Sequence, residues 1–166
     1  METQRPGWSP DTTKRKRTNN VPVVKYSSVD VVICMKGVIL HGGYGTKLRP
    51  LTHTGPKQLI PVANKPISQY VLEDLKNSGI TEIAIVLGGI HPEKVKEHYG
   101  DGSKHGVKIQ YIHQPEPKGI AHAISLCKEY VGENPFIVYL GDNLLKGGIK
   151  NFTKTFKNSN YDAMIL

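Results

Sequence analysis

The chain has 166 residues, 38% hydrophobic and 22% charged, which suits one folded domain with a real core and excludes a wholly disordered chain. Its formal charge is +8, so anionic partners are favoured. Aromatics make up only 7% and the basic residues are not striped, which argues against nucleic acid, and no apolar run is long enough to span a membrane.

Residues 1–34 hold six Lys/Arg against three Asp/Glu and read as an N-terminal extension, largely disordered over its polar first twenty residues. The basic cluster at 14–17 is compatible with nucleic-acid contact, with targeting or with a solvated tail. No apolar core and cleavage site follow it directly, so it is no signal peptide. Residues 23–34 are a candidate extra strand. Cys34 and Cys127 form no disulfide framework and fit a reducing, cytoplasmic setting. Cys127 falls on the apolar side of an expected helix, which predicts a buried thiol.

A short buried strand is expected at 36–40, and it runs straight into His41-Gly42-Gly43-Tyr44-Gly45-Thr46. Glycines after a strand bring bare backbone N–H groups to one point and let a large anion approach. Lys47, Arg49 and Lys57 follow with matching charge, so the run reads as a polyphosphate loop. It is not a P-loop, because Gly45 is followed by Thr46 and then Lys47. Nor is it a dinucleotide fingerprint, because Leu48 stands where a third glycine belongs.

Beyond the loop, the periodicity predicts a helix at 67–78 with Ile67, Tyr70, Val71, Leu75 and Ser78 on one side, ended by Gly79. A strand follows at 82–87, then a short helix at 92–98 entered by Pro92. A third strand is expected at 107–112. A single helix at 119–131 should turn Ile120, Ala123, Ile124, Cys127 and Val131 to the core. The last elements are a strand at 136–140, a helix at 149–157 and the start of a fifth strand at 162–166. Strands alternating with helices imply a parallel sheet covered on both faces, with ligands at the carboxyl ends of its strands. Gly42, Gln114 and Asp142 each follow a strand, which puts all three on that rim.

Three segments resemble the sugar-phosphate nucleotidyltransferases. These are the run from Gly42 to Thr52 with Pro56-Lys57-Gln58-Leu59, the run from Gln114 to Ala123, and Leu140-Gly141-Asp142-Asn143. The form of the middle segment is most similar to the glucose-1-phosphate thymidylyltransferase branch. The resemblance implies a Rossmann-like three-layer α/β/α domain over residues 35–166, truncated at the C-terminus, because the family's catalytic domain continues with more of the sugar pocket and a second metal carboxylate. It leaves residues 1–34 as an extension or as the product of an upstream start.

The implied reaction is transfer of a nucleotidyl group from dTTP or UTP to a sugar-1-phosphate, with pyrophosphate leaving and Mg²⁺ as cofactor. The implied roles are catalytic for Lys47 and Lys57, nucleotide-binding for Leu40, Gly42, Gly43, Gly45, Thr46, Gln114 and Gly119, and metal-binding for Asp142. Homo-oligomers are implied for full-length members. Two departures stand out. Lys47 occupies a position that is usually arginine, so its grip on phosphate loses a bidentate fork. His41 replaces a small residue and could crowd the nucleotide, add a donor or point away. A uridylyltransferase for glucose- or N-acetylglucosamine-1-phosphate and a catalytically silent nucleotide-binding module remain as alternatives.

Overall fold

A computed structural model describes residues 34–166. The expectations for residues 1–33, including most of the candidate strand at 23–34, lie outside the described residues. Four strands form the central sheet: β1 Lys36–His41, β4 Glu82–Leu87, β5 Lys108–His113 and β6 Phe136–Leu140. They lie in the order β5-β4-β1-β6 and every pairing is parallel. A two-stranded antiparallel ribbon, β2 Pro61–Val62 with β3 Lys65–Pro66, was not expected from the pattern. It turns through Ala63 and Asn64, both with positive φ.

The inner strands β1 and β4 are apolar on both sides because helices cover both, whereas the edge strand β5 alternates through exposed Lys108 and Gln110. Ile39, Ile83, Ile85 and Ile109 pack with Val71, Leu72 and Leu75 of α1 (Ile67–Asn77) and with Val95 and Tyr99 of α2 (Pro92–Tyr99). Phe156 of α5 (Lys150–Lys157) joins the same cluster. Val38, Leu40, Ala84 and Val86 pack on the opposite side against Ala123, Cys127 and Val131. The three-layer α/β/α arrangement expected from the sequence is therefore present.

Two elements differ from expectation. The helix at 119–131 is broken into α3 (Ile120–Ser125) and α4 (Lys128–Val131). Cys127 N–H donates to Ile124 O at 2.9 Å, a three-residue step that tightens the turn and interrupts the four-residue ladder. Ile120, the first residue of α3, is 55% exposed instead of facing the core. Residues 162–166 form no strand. No described strand pairs with them and Ile165 lies in solvent, and apolar composition alone does not hold an unpaired strand.

Because the sheet is all parallel, every strand ends on one rim. The loops after β1, β4, β5 and β6 all leave from it.

Candidate functional site

The loop after β1 is shaped by two glycines in the positive-φ region, Gly43 at 98° and Gly45 at 60°. A Cβ at Gly45 would come within 2.7 Å of Thr52 Cγ2, so this position is closed to side chains by space as well as by φ. Thr52, itself buried, donates its hydroxyl to Gly45 O at 2.8 Å. Gln58 Nε2 donates to Gly42 O at 3.1 Å. The glycine loop is thus tied at both ends by buried polar side chains.

Gln58 is held in turn. Ser68 Oγ of α1 donates to Gln58 O at 2.9 Å, so the 2.6 Å contact between Ser68 Oγ and Tyr99 takes its proton from the tyrosine hydroxyl. Burial pushes the Tyr99 phenol up to about 12, which keeps it a donor. A buried chain therefore runs from α2 through α1 to the segment carrying Lys57. Nothing in the sequence pattern marks Thr52, Ser68 or Gln58 as loop supports. A glutamine beside a lysine in a Pro-Lys-Gln-Leu run reads as solvated until its burial is seen.

Lys57 and Asp142 lie far apart in the chain, but their side chains meet at 2.5 Å. Both remain partly exposed, at 27% and 34%. An ion pair of this kind contributes only about 0–1 kcal/mol, so little is lost when either partner exchanges it for a phosphate or a cation. No described residue donates to the other Asp142 oxygen, Oδ1. One hard carboxylate at a strand end suits Mg²⁺, which often takes one or two carboxylates and fills its remaining positions with phosphate oxygens and water. Among the described residues, no group of three or more His, Cys, Asp or Glu is placed to hold a metal. Asp142 would contribute a single ligand.

Gln114 follows β5 directly and is buried. A Cβ on Gly42 would lie 3.4 Å from its Oε1, so the Gln114 side chain lies beside the glycine loop. Gly119 O accepts from Gln114 Nε2 at 3.4 Å. Leu40 has its side chain in the core, and its carbonyl accepts the Gly141 N–H at 3.0 Å. Thr46 and Lys47 are exposed in a short 3-10 turn, Thr46–Leu48, and no described residue pairs with the Lys47 ammonium.

His41 takes the third of its expected courses and points away from the open rim. It is buried, its ring stands edge-on to Tyr99 at 6.3 Å between centroids, and neither ring nitrogen has a partner. Burial lowers its pKa from 6.5 to about 3, against a smaller opposing pull from Asp142. It is neutral at physiological pH, and its one ring N–H is buried away from the rim. Gly141 accommodates it: a Cβ there would fall 2.6 Å from the imidazole Cδ2.

The fold defines a Rossmann-like α/β domain with its candidate groups on the carboxyl rim. The chain belongs to the nucleotidyl transferase family, whose model matches residues 36–166. It is 52% identical over 131 residues to the low-salt glycan biosynthesis nucleotidyltransferase Agl11 of Haloferax volcanii, covering 79% of this chain and 37% of that protein. It is 44% identical to a glucose-1-phosphate thymidylyltransferase of Streptomyces griseus, covering 80% and 37%. A crystal structure described as a glucose-1-phosphate thymidylyltransferase from Bacillus anthracis in complex with a sucrose superposes with a TM-score of 0.73 at 37% identity, over 76% of this chain and 51% of that one. A UDP-glucose pyrophosphorylase complexed with UDP-glucose superposes at 0.62 with 26% identity, over 75% and 53%. The chain thus spans 37% of the length of the two curated relatives and about half of the solved chains. No helix among the described residues is long and apolar enough to cross a membrane.

Proposed function

We propose that this chain carries the nucleotide-binding part of an enzyme that moves a nucleotidyl group from dTTP or UTP to a sugar-1-phosphate, with glucose-1-phosphate as acceptor. The observation that supports it best is the gathering on one rim of the glycine loop, the Lys57–Asp142 pair and Gln114. Both reactants are anionic and repel each other. The chemistry therefore asks for positioning and charge neutralisation more than for a base.

In this reading, N–H groups of Gly42, Gly43 and Gly45 and the Thr46 hydroxyl wrap the triphosphate, and Leu40 anchors the strand end that carries them. Lys47 faces the departing pyrophosphate. Lys57 exchanges Asp142 for the α-phosphate or the incoming sugar phosphate. Asp142 holds Mg²⁺, which supplies Lewis-acid neutralisation of phosphate charge when bound. The sugar-phosphate oxygen attacks the α-phosphorus, the bond to the bridging oxygen breaks, and pyrophosphate leaves with its electron pair. Gln114 and Gly119 read the base. The two cysteines, both free, suit a cytoplasmic setting for this reaction.

Titration of dTTP and UTP with Mg²⁺ tests the binding claim, with saturation expected in the micromolar-to-millimolar range. No saturable binding of either nucleotide would overturn it. Pyrophosphate release with glucose-1-phosphate tests the chemistry. A second reading, a silent nucleotide-binding module, draws on Asp142 belonging to no group of three or more metal-binding side chains among the described residues; binding without pyrophosphate release would select it.

A further inference from the structure

Gln114 is the one site residue whose amide has to choose an orientation. Its backbone N–H donates to Leu87 O at 2.7 Å, which fixes the residue at the end of the β4–β5 pair. Its side-chain Nε2 lies 3.4 Å from Gly119 O and 3.1 Å from His122 Nδ1. A carbonyl oxygen can only accept, so the nitrogen of the amide must face Gly119. The second amide proton then goes to His122 Nδ1, which serves as acceptor when the imidazole is neutral and carries its proton on Nε2. The amide oxygen is left on the opposite side, beside the glycine loop. There it lies 3.4 Å from where a Cβ would stand on either Gly42 or Gly88, and no described residue donates to it.

We propose that His122 is a positioning residue for base selection: it locks the Gln114 amide so that an acceptor, and not a donor, faces the incoming base. The inference rests on the nucleotide-binding function proposed above. The long Gly119 contact holds the amide weakly by itself, and the closer imidazole completes the lock. A free acceptor suits a base with a ring N–H, such as the imide of uracil or thymine. Cytosine presents an unprotonated ring nitrogen at that place and sets acceptor against acceptor. Without the imidazole, the amide is free to turn over and offer its NH₂ group to cytosine.

The experiment is calorimetric titration of the whole chain with UTP, dTTP and CTP in the presence of Mg²⁺. The wild-type chain is expected to prefer UTP and dTTP over CTP. His122→Leu, which removes the acceptor, should lower the UTP-to-CTP affinity ratio by roughly two- to tenfold, the reach of one net hydrogen bond. His122→Gln, which can accept again through its amide oxygen, should restore the ratio. Nitrogen-15 NMR of His122 should show the proton on Nε2, with the Nδ1 signal moving in Gln114→Ala. A purely structural histidine would show neither the selectivity loss nor its rescue. An unchanged ratio in His122→Leu, or a proton on Nδ1, overturns the inference and leaves the proposed function standing; should His122→Leu fail to fold, the NMR readout decides. Failure of the wild-type chain to bind UTP or dTTP overturns the function and the inference together.

Discussion

The two halves of the rim are built in opposite ways. On one half, Gly42 O and Gly45 O accept hydrogen bonds from buried Gln58 and Thr52, Gln58 O accepts from buried Ser68, and the buried Gln114 amide donates to Gly119 O and meets His122 Nδ1, all before any ligand arrives. On the cationic half, Thr46 and Lys47 stand in solvent, and Lys57 is engaged only by a partly exposed carboxylate. Burial gives the first half its geometry, since an unmade buried hydrogen bond costs about 1–3 kcal/mol. The second half has no such buried ties among the described residues, and under the proposed function a bound anion would supply its order. One half is therefore sensitive to substitutions that disturb packing, and the other to substitutions that change charge.

The largest expected effect comes from His41, beneath the rigid half. Its folded pKa of about 3 lies below its ordinary 6.5, so the unfolded chain binds a proton first as the pH falls. Stability is complete above the ordinary value and declines as pH drops toward the folded one, by about 1 kcal/mol per pH unit. Urea melts in EDTA between pH 7 and pH 4 should show this slope, and His41→Ala should flatten it. An equal slope in both would mean that the imidazole is not buried.

Next in size is Gly45→Ala, which forces a side chain into positive φ and onto Thr52. A loss of about 2 kcal/mol is expected, read as a fall in Tm. Asp142→Ala should leave Tm nearly unchanged but remove the Mg²⁺ dependence of nucleotide affinity. Persistence of that dependence would place the metal elsewhere. The smallest effect belongs to Lys47→Arg. Its forked guanidinium should tighten triphosphate binding a few-fold, with no change in Tm, because the side chain is exposed. A stability change there would erase the contrast between the halves.

β1, β4 and β6 were legible because buried parallel strands read as apolar runs, and Phe136–Leu140 was found at its expected bounds. The glycine loop was legible because glycines directly after an apolar strand signal a turn locally. The supports were not. Ser68 lies on the inward side of α1, where an apolar residue would be expected, and it is explained by its partners Gln58 and Tyr99 in other elements. The pairing of Lys57 with Asp142 likewise joins distant segments, and no periodicity encodes it. His41 was undecidable for the same reason: whether its ring crowds a ligand or enters the core depends on the missing side chain of Gly141. The break in 119–131 depends on a turn at Cys127 that an amphipathic pattern does not register.

The strand order has a consequence for synthesis. β1, which launches the glycine loop, sits between β4 and β6, and Lys36 pairs in register with Phe136. On a ribosome the middle strand emerges first and waits, apolar and half-unpaired, until both neighbours have been translated. Slow closure of such distant pairings leaves the nascent segment exposed to aggregation and to capture by chaperones.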